Sequence, residues 1–474
     1  MKVRKQKGLT FDDVLLVPKH SDVRSRRDAS TRTKLTRDIS LHIPIISANM
    51  DTVTESEMAI AMAHAGGIGV IHRFMTTQRM VEEVKRVKRA ENLVIENPLT
   101  IEPDATVQQA RRIMQERDVG GMLILDTERR ILGILTTRDV LFEDNPERPV
   151  RELMTADVTT APTGTTMEEA RLICHRHKIE KLPLVDERGR VTGLITTKDI
   201  IKRIKHPNAT KDDKGRLRVG AAIGVKPGER ERAAAVVEAG ADVLVLDIAH
   251  GHSTNATDMI HWLRRKFPHV PLIAGNVATA DGTKELIDAG ADAIKAGIGP
   301  GSICVTRVVA GFGVPQITAI MDAYQVAHDA GIPIIADGGI HTSGDLTKAL
   351  AAGAHTVMIG SLFAGTRESP GRIIQKQGRR YKVTRGMASL GATMSRTDTQ
   401  DEMDWNAVVP EGVEAMVPYR GSVNDVLTQL VGGLRSGLSY AGANTIEELH
   451  ENAEFIEMSS AGLQESLPHD VELM

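Results

Sequence analysis

The sequence predicts an α/β protein: a closed (β/α)8, or TIM, barrel that carries an inserted module made of two copies of one motif. Eight apolar runs of strand length alternate with helical patterns, and near-continuous apolar runs are typical of parallel strands buried on both faces. An internal repeat interrupts this alternation once. An open, doubly wound sheet is the alternative to the closed barrel.

The barrel is predicted from residues 1–92 and 206–474. Its strands are expected, in chain order, in the runs IPIISANM, GIGVIH, VGAAIGV, DVLVLDIAH, VPLIAGNV, DAIKAGIG, IPIIADGGI and TVMIGS. In such barrels the functional site lies at the carboxyl ends of the strands, and phosphate groups often bind at the loops after the seventh and eighth strands. The residues that follow the strands are therefore the candidates for chemistry.

The repeat predicts a separate module at residues 93–205. "IEPDATVQQARRIM" returns as "APTGTTMEEARLIC", and "GILTTRDV" returns as "GLITTKDI". Each copy, about 96–146 and about 153–205, predicts an extended segment, an amphipathic helix, two strands joined by a turn, and a second helix. That second helix is expected to begin at the Thr-x-x-Asp shared by both copies.

Composition indicates a globular protein that works on small molecules. The 474 residues are 41% hydrophobic and 26% charged, with a formal net charge of -3, so no large basic surface for nucleic acid or an anionic membrane is expected. The only two cysteines are Cys174 and Cys304, which excludes a disulfide framework and indicates a reducing compartment. Without a signal peptide or a run of about 20 apolar residues, a cytoplasmic location is predicted.

Two glycine-containing loops at the last two strands predict a phosphate site. Asp337 and Gly339 lie in "ADGG" after the seventh strand, and Gly360 and Ser361 lie in "IGS" after the eighth. Glycine lets backbone N–H groups approach an anion closely, and an aspartate beside it can hold sugar hydroxyls. Either loop alone is explained by a turn that needs glycine, but the pair at these two strands favours phosphate.

The loop after the sixth strand, "GIGPGSICVTR", carries Cys304. A thiolate is a strong nucleophile, and the neighbours Gly301 and Ser302 would make a poor core, so this cysteine is predicted to be accessible and reactive. A lone cysteine more often packs as a small buried hydrophobe, which is the interpretation of Cys174. The same glycines can also turn carbonyl groups toward a monovalent cation.

Further polar residues follow the fourth and fifth strands. Asp247 closes "VLVLD" and Asn276 closes "LIAGN", where each is either a cap for the next helix or a ligand to a second substrate. His250 and His252 in "AHGHS" look like a metal pair, but no carboxylate or cysteine stands at ligand spacing, so a metal is not predicted there.

With these residues in place, the chain resembles the IMP dehydrogenase/GMP reductase family over nearly its whole length. The resemblance rests on "GIGPGSICVTR", "AHGHS", "ADGG" and "IGSLFAGT", and on a module similar to a tandem pair of CBS domains, a Bateman domain. It implies that Cys304 attacks C2 of a purine nucleotide to form a covalent thioimidate, from which hydride and leaving group are exchanged. Thr306 and Glu411 match the family pair that handles protons.

The resemblance implies roles for the other residues as well. The nucleotide is expected at Ser302, Asp337, Gly339, Gly360, Ser361, Met387 and Ala388, and the dinucleotide near Asp247, Asn276, Gly297 and Gly299. A potassium site is expected from Gly299, Gly301 and Cys304 together with Glu465, Ser466 and Leu467 of a neighbouring subunit. The expected assembly is a homotetramer, with an octamer of two tetramers as a further state.

The direction of the reaction depends on a mobile flap expected at 386–412. Dehydrogenases of the family carry an Arg-Tyr pair there, whose arginine activates the water that hydrolyses the thioimidate. This segment has no such pair, because Arg396 is followed by Thr397. "SANM" and "GMAS" are similar to reductases, whereas "VPEGVEAMVPYRG" and the tail "SSAGLQESLPHDVEL" are similar to bacterial dehydrogenases. Thr384 stands where dehydrogenases have a phosphate-binding tyrosine.

The missing water activator leads to the prediction of a GMP reductase, which reduces GMP with NADPH and releases IMP and ammonia. An IMP dehydrogenase, which oxidises IMP with NAD and water to XMP, is the alternative. A nucleotide-sensing protein with a catalytically idle barrel is the third interpretation. It is disfavoured because Cys304, Thr306 and Glu411 are all present.

The module is expected to bind regulatory purine nucleotides such as ATP and GTP. CBS domains contact ribose and phosphate through Thr-x-x-Asp, which here is Thr136 with Asp139 and Thr196 with Asp199. The same motif caps helices, so a purely structural role is the alternative. Its recurrence in both copies favours nucleotide binding, with an effect on activity or on the assembly of tetramers into octamers.

Overall fold

Eight parallel strands close into a barrel, and the closed barrel predicted from the sequence is confirmed. The computed structural model describes residues 3–91, 94–394, 409–469 and 471. Each of the eight apolar runs contains one barrel strand, which excludes the open doubly wound sheet. Within the described part of the chain, no helix combines the length and the hydropathy that crossing a bilayer requires.

The strands in chain order are β1 (Val14–Leu16), β2 (Thr33–Lys34), β3 (Ser40–Leu41), β4 (Ile45–Ser47), β5 (Ile68–Ile71), β6 (Thr100–Ile101), β7 (Gly121–Leu125), β8 (Ile131–Thr136), β9 (Ala161–Pro162), β10 (Lys181–Val185), β11 (Val191–Thr196), β12 (Gly220–Ile223), β13 (Val243–Asp247), β14 (Leu272–Val277), β15 (Ala293–Ala296), β16 (Ile334–Asp337), β17 (Thr356–Ile359), β18 (Ile373–Lys376), β19 (Arg379–Arg385), β20 (Glu414–Pro418) and β21 (Phe455–Glu457).

The helices are α1 (Ser56–His64), α2 (Thr77–Ala90), α3 (Val107–Arg117), α4 (Thr137–Leu141), α5 (Met167–His177), α6 (Thr197–Lys205), α7 (Glu229–Glu238), α8 (Thr254–Lys266), α9 (Ala280–Ala289), α10 (Thr306–Val309), α11 (Gln316–Ala327), α12 (Ser343–Ala351), α13 (Ser361–Ala364), α14 (Leu390–Met394), α15 (Val423–Tyr440), α16 (Ile446–Asn452) and α17 (Ser460–Glu465). Two short 3-10 helices lie at Phe11–Asp13 and Val150–Glu152.

The barrel consists of β4, β5 and β12 to β17, with β17 pairing onto β4 and β5 onto β12. Side chains alternate along each strand, so one set fills the barrel and the other packs beneath the helices. Along β15, Ala293 belongs to the interior cluster and Ile294 to the outer one. The alternation therefore directs Lys295, whose side chain is 2% exposed, into the barrel interior at the carboxyl end.

Helices between the strands form the outer layer of the barrel. Their starts follow local rules: the Thr279 hydroxyl accepts a hydrogen bond from the N–H of Gly282 at the start of α9, and Thr342 accepts one from Asp345 at the start of α12. After the eighth strand, the antiparallel sheet β18–β19–β20 precedes the long helix α15. Each barrel strand is thus followed by a helical segment that covers its outer face.

The chain divides into two compact units. One comprises Met1–Ala90, Asn208–Asp212 and Leu217–Met474, and the other comprises Glu91–Pro207 and Asp213–Arg216. The predicted module boundaries, 93 and 205, lie two residues inside the main segment of the second unit.

Each copy of the repeat has the order of elements that the sequence predicts. The first is β6–α3–β7–β8–α4 and the second is β9–α5–β10–β11–α6, and each forms its own three-stranded sheet. Thr106 and Thr166 cap α3 and α5 in the same way, through reciprocal bonds with Gln109 and Glu169. Cys174 lies in the core of the second copy, 5% exposed, and burial raises the pKa of its thiol.

A cluster of histidines surrounds Tyr324 at the amino ends of β16 and β17. Ring centroids lie 5.0 Å apart for Tyr324 and His328, 5.3 Å for Tyr324 and His450, and 5.2 Å for His355 and His450. The N–H of Ile334 donates to Nδ1 of His355 at 3.2 Å. Burial, with nearby His450, His328 and Lys34, lowers the pKa of His355 to about 3. Burial also lowers the pKa of His450.

We expect this cluster to make the fold sensitive to acid. His355 stays neutral in the folded chain below its unfolded pKa of about 6.5, so the stability that it contributes is present above that pH and is lost progressively as the pH falls toward about 3. The loss should be on the order of 2 kcal/mol by about pH 5. Thermal unfolding of the wild type and of His355→Asn, which keeps an acceptor for Ile334, measures it. A variant with the same pH dependence as the wild type would contradict this account.

Candidate active site

A cavity with an empty volume of about 1100 Å³ opens at the carboxyl ends of the barrel strands. Eleven predicted site residues lie in its wall: Asp247, Asn276, Gly297, Gly299, Gly301, Cys304, Thr306, Asp337, Met387, Ala388 and Glu411. Four others, predicted for the phosphate, are not part of this wall: Ser302, Gly339, Gly360 and Ser361. The structure thus brings the predicted catalytic and cofactor residues together.

The loop between β15 and α10 places Cys304 in the cavity. Gly297 has φ +144, and a Cβ there would stand 2.3 Å from the carbonyl oxygen of Asp337, so only glycine allows the loop to pass this close to β16. The Cys304 N–H donates to the carbonyl of Gly301 at 3.0 Å. On the other side, Cys304 forms an isolated antiparallel bridge with Gly412, which brings the distant segment around residue 411 beside the cysteine.

Cys304, Thr306 and Glu411 form one hydrogen-bonded chain. The Cys304 Sγ lies 3.2 Å from the Thr306 Oγ1, and the Thr306 hydroxyl donates to the Glu411 Oε2 at 2.8 Å. Backbone contacts hold the glutamate in place, because its carbonyl accepts from the Val305 N–H at 2.9 Å and its own N–H donates to Ala388 O at 3.0 Å. A proton at the sulfur side of the cavity therefore has a direct route to a carboxylate.

The predicted phosphate residues converge beside this cavity. Ser302 and Ser361 approach through their hydroxyls at 3.4 Å, although they follow different strands. Gly339 has φ +83, in the left-handed region that favours glycine. Gly360 faces the cavity residue Met50, whose sulfur would lie 3.0 Å from an added Cβ. The loop after β15 thus meets the loop after β17 at the two serines, and it meets the loop after β16 at Pro300, whose Cβ would lie 3.7 Å from an added Cβ on Gly339.

Lys295 joins polar residues from four consecutive barrel strands. Its ammonium donates to Asp247 Oδ1 at 2.9 Å and to Asp337 Oδ2 at 2.6 Å, and it also donates to Asn276 Oδ1. The Asn276 amide in turn donates to Asp337 Oδ2 at 2.9 Å and to Gly297 O at 2.7 Å. Asp247 and Asn276 are therefore not simple helix caps, because each belongs to a buried charged cluster.

Burial and charge act in opposite directions on this cluster. Burial disfavours the Lys295 ammonium, but the carboxylates of Asp247 and Asp337 outweigh it and raise the pKa of Lys295 above its usual range. Burial would raise the pKa of Asp247, but Lys295 and Arg73, with hydrogen bonds from Lys295 and Asn49, lower it. The ammonium and the Asp247 carboxylate are consequently both ionised.

Sequence reasoning missed Lys295 and the residues after the first two strands. Lys295 lies inside a run interpreted as an apolar strand, and the signal was available, since a lysine in a buried strand must be paired. Asn49, Met50 and Arg73 also line the cavity. These three residues follow β4 and β5, so the rule that barrel sites lie at the carboxyl ends of the strands also predicts them. Buried Arg73 Nε has no hydrogen-bond partner among the described residues.

The flap predicted at 386–412 is described only at its two ends. Gly386 N–H donates to Val413 O at 3.0 Å, which joins the two ends of this segment. Arg396 and Thr397 lie outside the described residues. Thr384, which stands where the family resemblance implies a tyrosine, is 0% exposed, and its hydroxyl lies 3.4 Å from that of Thr52.

The histidine pair and the C-terminal segment lie apart from the catalytic chain. His252 Nε2 is 2.6 Å from Glu285 Oε2, a carboxylate that sequence spacing did not reveal because it comes from α9, which lies beyond α8 and β14 in the chain. Among the described residues no three His, Cys, Asp or Glu side chains are grouped as metal ligands. Glu465 ends α17, and the segment Glu465, Ser466 and Leu467 is exposed and does not line the cavity.

In the module, the two Thr-x-x-Asp motifs differ in their surroundings. Both begin helices: the Thr136 hydroxyl donates to Asp139 at 2.8 Å, and Thr196 accepts from the Asp199 N–H at 3.4 Å. Thr136 and Asp139 line a cavity with an empty volume of about 800 Å³, together with the basic residues Arg138, Lys178 and Lys181. Thr196 and Asp199 do not line it.

Fold and site together define an enzyme of the α/β-barrel class whose candidate nucleophile is a cysteine. A family model, the IMP dehydrogenase / GMP reductase domain, matches residues 8–469. The chain belongs to the IMP dehydrogenase/GMP reductase family, so it is a purine nucleotide oxidoreductase, and the resemblance inferred from its motifs is confirmed. Enzymes of this family use nicotinamide cofactors.

Relatives of both activities cover nearly the whole chain. It is 55% identical over 474 residues to inosine-5'-monophosphate dehydrogenase of Nitrosopumilus maritimus, covering 99% of either chain. It is 54% identical over 473 residues to the same enzyme of Aquifex aeolicus, covering 99% of this chain and 96% of that one. A crystal structure of a Cys-to-Ala variant of GMP reductase from Trypanosoma brucei with guanosine 5'-monophosphate matches with a TM-score of 0.91 at 44% identity, covering 98% of each chain.

Proposed function

We propose that the protein is a GMP reductase, which converts GMP and NADPH to IMP, ammonia and NADP. The observation that carries the proposal is a contrast between two parts of the site. Cys304, Thr306 and Glu411 form a continuous chain, whereas the sequence of 386–412 has no Arg-Tyr pair. Covalent chemistry requires the chain in either direction, but only hydrolysis requires the pair. The Trypanosoma brucei reductase in complex with GMP supports the substrate class.

The residues in the cavity account for each bond that changes. The Cys304 sulfur adds to C2 of GMP, and the bond from C2 to the exocyclic nitrogen breaks as ammonia leaves with a proton delivered through Thr306 and Glu411. The thioimidate that remains accepts a hydride at C2, which is the contribution of the bound nicotinamide. The C–S bond then breaks, its electron pair returns to sulfur, and IMP is released.

The cavity beside Cys304 offers polar groups for a dinucleotide. The buried Nε of Arg73 has an N–H that no described residue accepts, so an anionic or carbonyl group of a ligand would satisfy it. Asp247 and Asn276 line the same wall, and one side-chain oxygen of each accepts a hydrogen bond from Lys295. These residues would hold the cofactor, and the choice of NADPH follows from the proposed direction.

IMP dehydrogenase is the second candidate, because the relatives at 55% and 54% identity carry that name. The solved GMP reductase is less similar, at 44%. In that direction IMP loses a hydride from C2 to NAD, and water replaces the Cys304 sulfur to give XMP. Hydrolysis without an Arg-Tyr pair would then need another base in the flap, for which Arg396 is the candidate.

Steady-state assays in both directions test the proposal. Purified protein is incubated with GMP plus NADPH and, separately, with IMP plus NAD, and nicotinamide absorbance is followed with HPLC of the purine products. We expect NADPH consumption with GMP to exceed NADH formation with IMP by at least about 100-fold, because a missing general base costs about 10²- to 10⁴-fold.

Turnover only with IMP and NAD would replace the reductase by the dehydrogenase. Arg396→Ala then becomes informative, since a dehydrogenase that uses this base should show slow hydrolysis and a nearly normal hydride-transfer burst. Turnover in neither direction would favour the nucleotide sensor.

We also propose that the module binds a regulatory purine nucleotide at the cavity of Thr136 and Asp139. The wall also holds Asp157 and Glu180, and Arg138 pairs with Glu180 at 2.6 Å. Positive charge for phosphate would therefore come from Lys178 and Lys181. A crystal structure of Trypanosoma brucei GMP reductase in complex with guanosine 5'-triphosphate matches this chain with a TM-score of 0.81, which supports GTP as the first nucleotide to test. An effect on activity or on tetramer and octamer assembly is the expected readout.

The proposed potassium site fits the described chain only in part. The carbonyl of Gly301 already accepts from Cys304 N–H, and the Arg307 guanidinium beside Gly299 donates to the carbonyls of Ile298 and Val314. A positive side chain next to the loop opposes a second cation. The remaining carbonyls would have to come from Glu465 to Leu467 of a neighbouring subunit in the proposed tetramer.

A further inference from the structure

Lys295 is the most deeply buried charged group in the wall of the cavity. It lies on β15, the strand that leads into the loop with Cys304. Its neighbours in the cavity wall are Asp247, Asn276 and Asp337. Its three acceptors come from β13, β14 and β16, so one ammonium links four neighbouring strands. A charge so placed is tolerated only with close partners, and Lys295 has them on both sides.

Lys295 contacts only one oxygen of each of the two carboxylates. Lys295 uses Oδ1 of Asp247 and Oδ2 of Asp337, and no described residue donates to the Oδ1 of Asp337. The Asn276 amide is oriented by the same network, because its oxygen accepts from Lys295 and its nitrogen donates to Asp337 and Gly297. Asp337 thus has one oxygen held within the wall and one left for the cavity, whereas Asp247 accepts from both Lys295 and Asn49.

We propose that Lys295 is a positioning residue that holds the nucleotide carboxylate Asp337 and the dinucleotide residues Asp247 and Asn276 in one arrangement, so that both ligand sites depend on a single ammonium. This rests on the proposed function, which assigns the nucleotide ribose to Asp337 and the dinucleotide to the other two residues. Lys295 itself does not take part in bond making. Its role is to keep these three side chains oriented and mutually compatible.

Lys295→Met tests the proposal because methionine has a similar length and no charge. In the variant, Asp247 and Asp337, with side chains 21% and 22% exposed, lose their shared cation, and Arg73 remains beside Asp247. We expect the dissociation constants of both nucleotides, GMP and IMP, and of NADP to rise by roughly 10- to 100-fold, the range for loss of a charge-assisted hydrogen bond. Isothermal titration calorimetry measures the three dissociation constants. Because GMP and IMP are both titrated, the result does not depend on the direction of the reaction.

A second readout needs no ligand. The loss of Lys295 should raise the pKa of Asp247 above its unfolded value, so the stability of the variant is highest at low pH and falls as the pH rises through the new folded pKa. We therefore expect the difference in Tm between wild type and Lys295→Met to grow as the pH rises from about 4, the unfolded pKa of aspartate, until Asp247 ionises in the folded variant. The histidine cluster contributes equally to both proteins and cancels.

Lys382→Met is the matched control. Lys382 is also 2% exposed, but its ammonium donates to the carbonyl of Arg367 and to the carbonyl and hydroxyl of Ser369, none of them a carboxylate. It should lower Tm without changing ligand affinity. Asp247→Asn separates the two sites, since Lys295 keeps Asp337 and only the dinucleotide should bind more weakly.

Folded Lys295→Met with wild-type affinity for GMP and IMP, or with a Tm difference that stays constant with pH, would overturn the proposal. If the single variant does not fold, the double variant Lys295→Met/Asp247→Asn restores the net charge of the cluster. Its affinity for GMP and IMP then tests the effect of Lys295 on Asp337. Failure of the wild type to bind either nucleotide would instead refute the proposed function, while the Tm comparison still decides the role of Lys295.

Discussion

Cys304→Ala is expected to abolish turnover with GMP and NADPH and with IMP and NAD alike, by about 10⁴-fold or more. The cysteine lies in the cavity wall, 3.2 Å from the Thr306 hydroxyl, and no other cysteine is present in the barrel unit. Without a sulfur to add to C2, no thioimidate forms and neither half of the reaction proceeds. The measurement is the steady-state rate in both assays.

Cys174→Ala is the matched control for this experiment. Cys174 is the other cysteine of the chain and is buried in the core of the second repeat copy. Its removal should cost a little stability through a small cavity and leave turnover within about twofold of wild type. Alkylation with iodoacetamide should likewise inactivate the wild type and Cys174→Ala at the same rate. Activity that survives in Cys304→Ala would refute the covalent mechanism.

Glu411→Gln is expected to lower kcat by about 10²- to 10⁴-fold, the usual contribution of a positioned proton-transfer group. The Thr306 hydroxyl donates to the Glu411 carboxylate at 2.8 Å, and glutamine preserves the acceptor oxygen but cannot take a proton. Because the substitution is nearly isosteric, nucleotide affinity should change little. Pre-steady-state kinetics with GMP separate the slow ammonia-releasing step from hydride transfer.

Thr306→Val provides the second half of this test. If Thr306 and Glu411 act as one relay, the double variant should be no slower than the worse single variant, because both remove the same route. Glu457→Gln, on exposed β21 with a side chain 58% exposed, should leave kcat within about twofold of wild type. Additive losses in the double variant would show that the two residues work separately.

The barrel was predictable because its strands are buried on both faces. β5, β12, β15 and β17 are buried at every position, and such burial demands an apolar run whichever strand lies next to it. The repeat was predictable for a similar reason, since both copies use the same threonine-capped helices. Apolar runs and helix caps each involve only a few consecutive residues, so they can be recognised in the sequence.

Part of the site was predictable because barrel geometry assigns chemistry to strand ends. Asp247, Asn276 and Asp337 lie at the carboxyl ends of their strands and Cys304 lies in the loop after β15. All four line one cavity. Glu411 differs, because it follows no barrel strand and reaches the cavity through the pairing of Cys304 with Gly412. Only the family resemblance, not a local rule, placed it beside Thr306.

The two copies of the module give equivalent motifs different surroundings. The two Thr-x-x-Asp motifs are equivalent in sequence, yet only Thr136 and Asp139 line the described cavity with three basic side chains. At the position of Lys181 in β10, the first copy has Gly121 in β7. The environment of a motif depends on side chains from the other copy, and the motif itself does not encode them.

By itself, the sequence determined the closed α/β barrel, the two-copy insert, the family and the residue predicted as nucleophile, since these depend on burial patterns and on short motifs. Tertiary structure alone decided that Lys295 binds Asp247 and Asp337, which are 48 and 42 positions away, and that Thr306 meets Glu411 across 105 positions. The physical reason is that such contacts form only once the barrel closes and the ends of four strands converge. An electrostatic cluster of this kind is a property of the closed barrel and not of any segment within it.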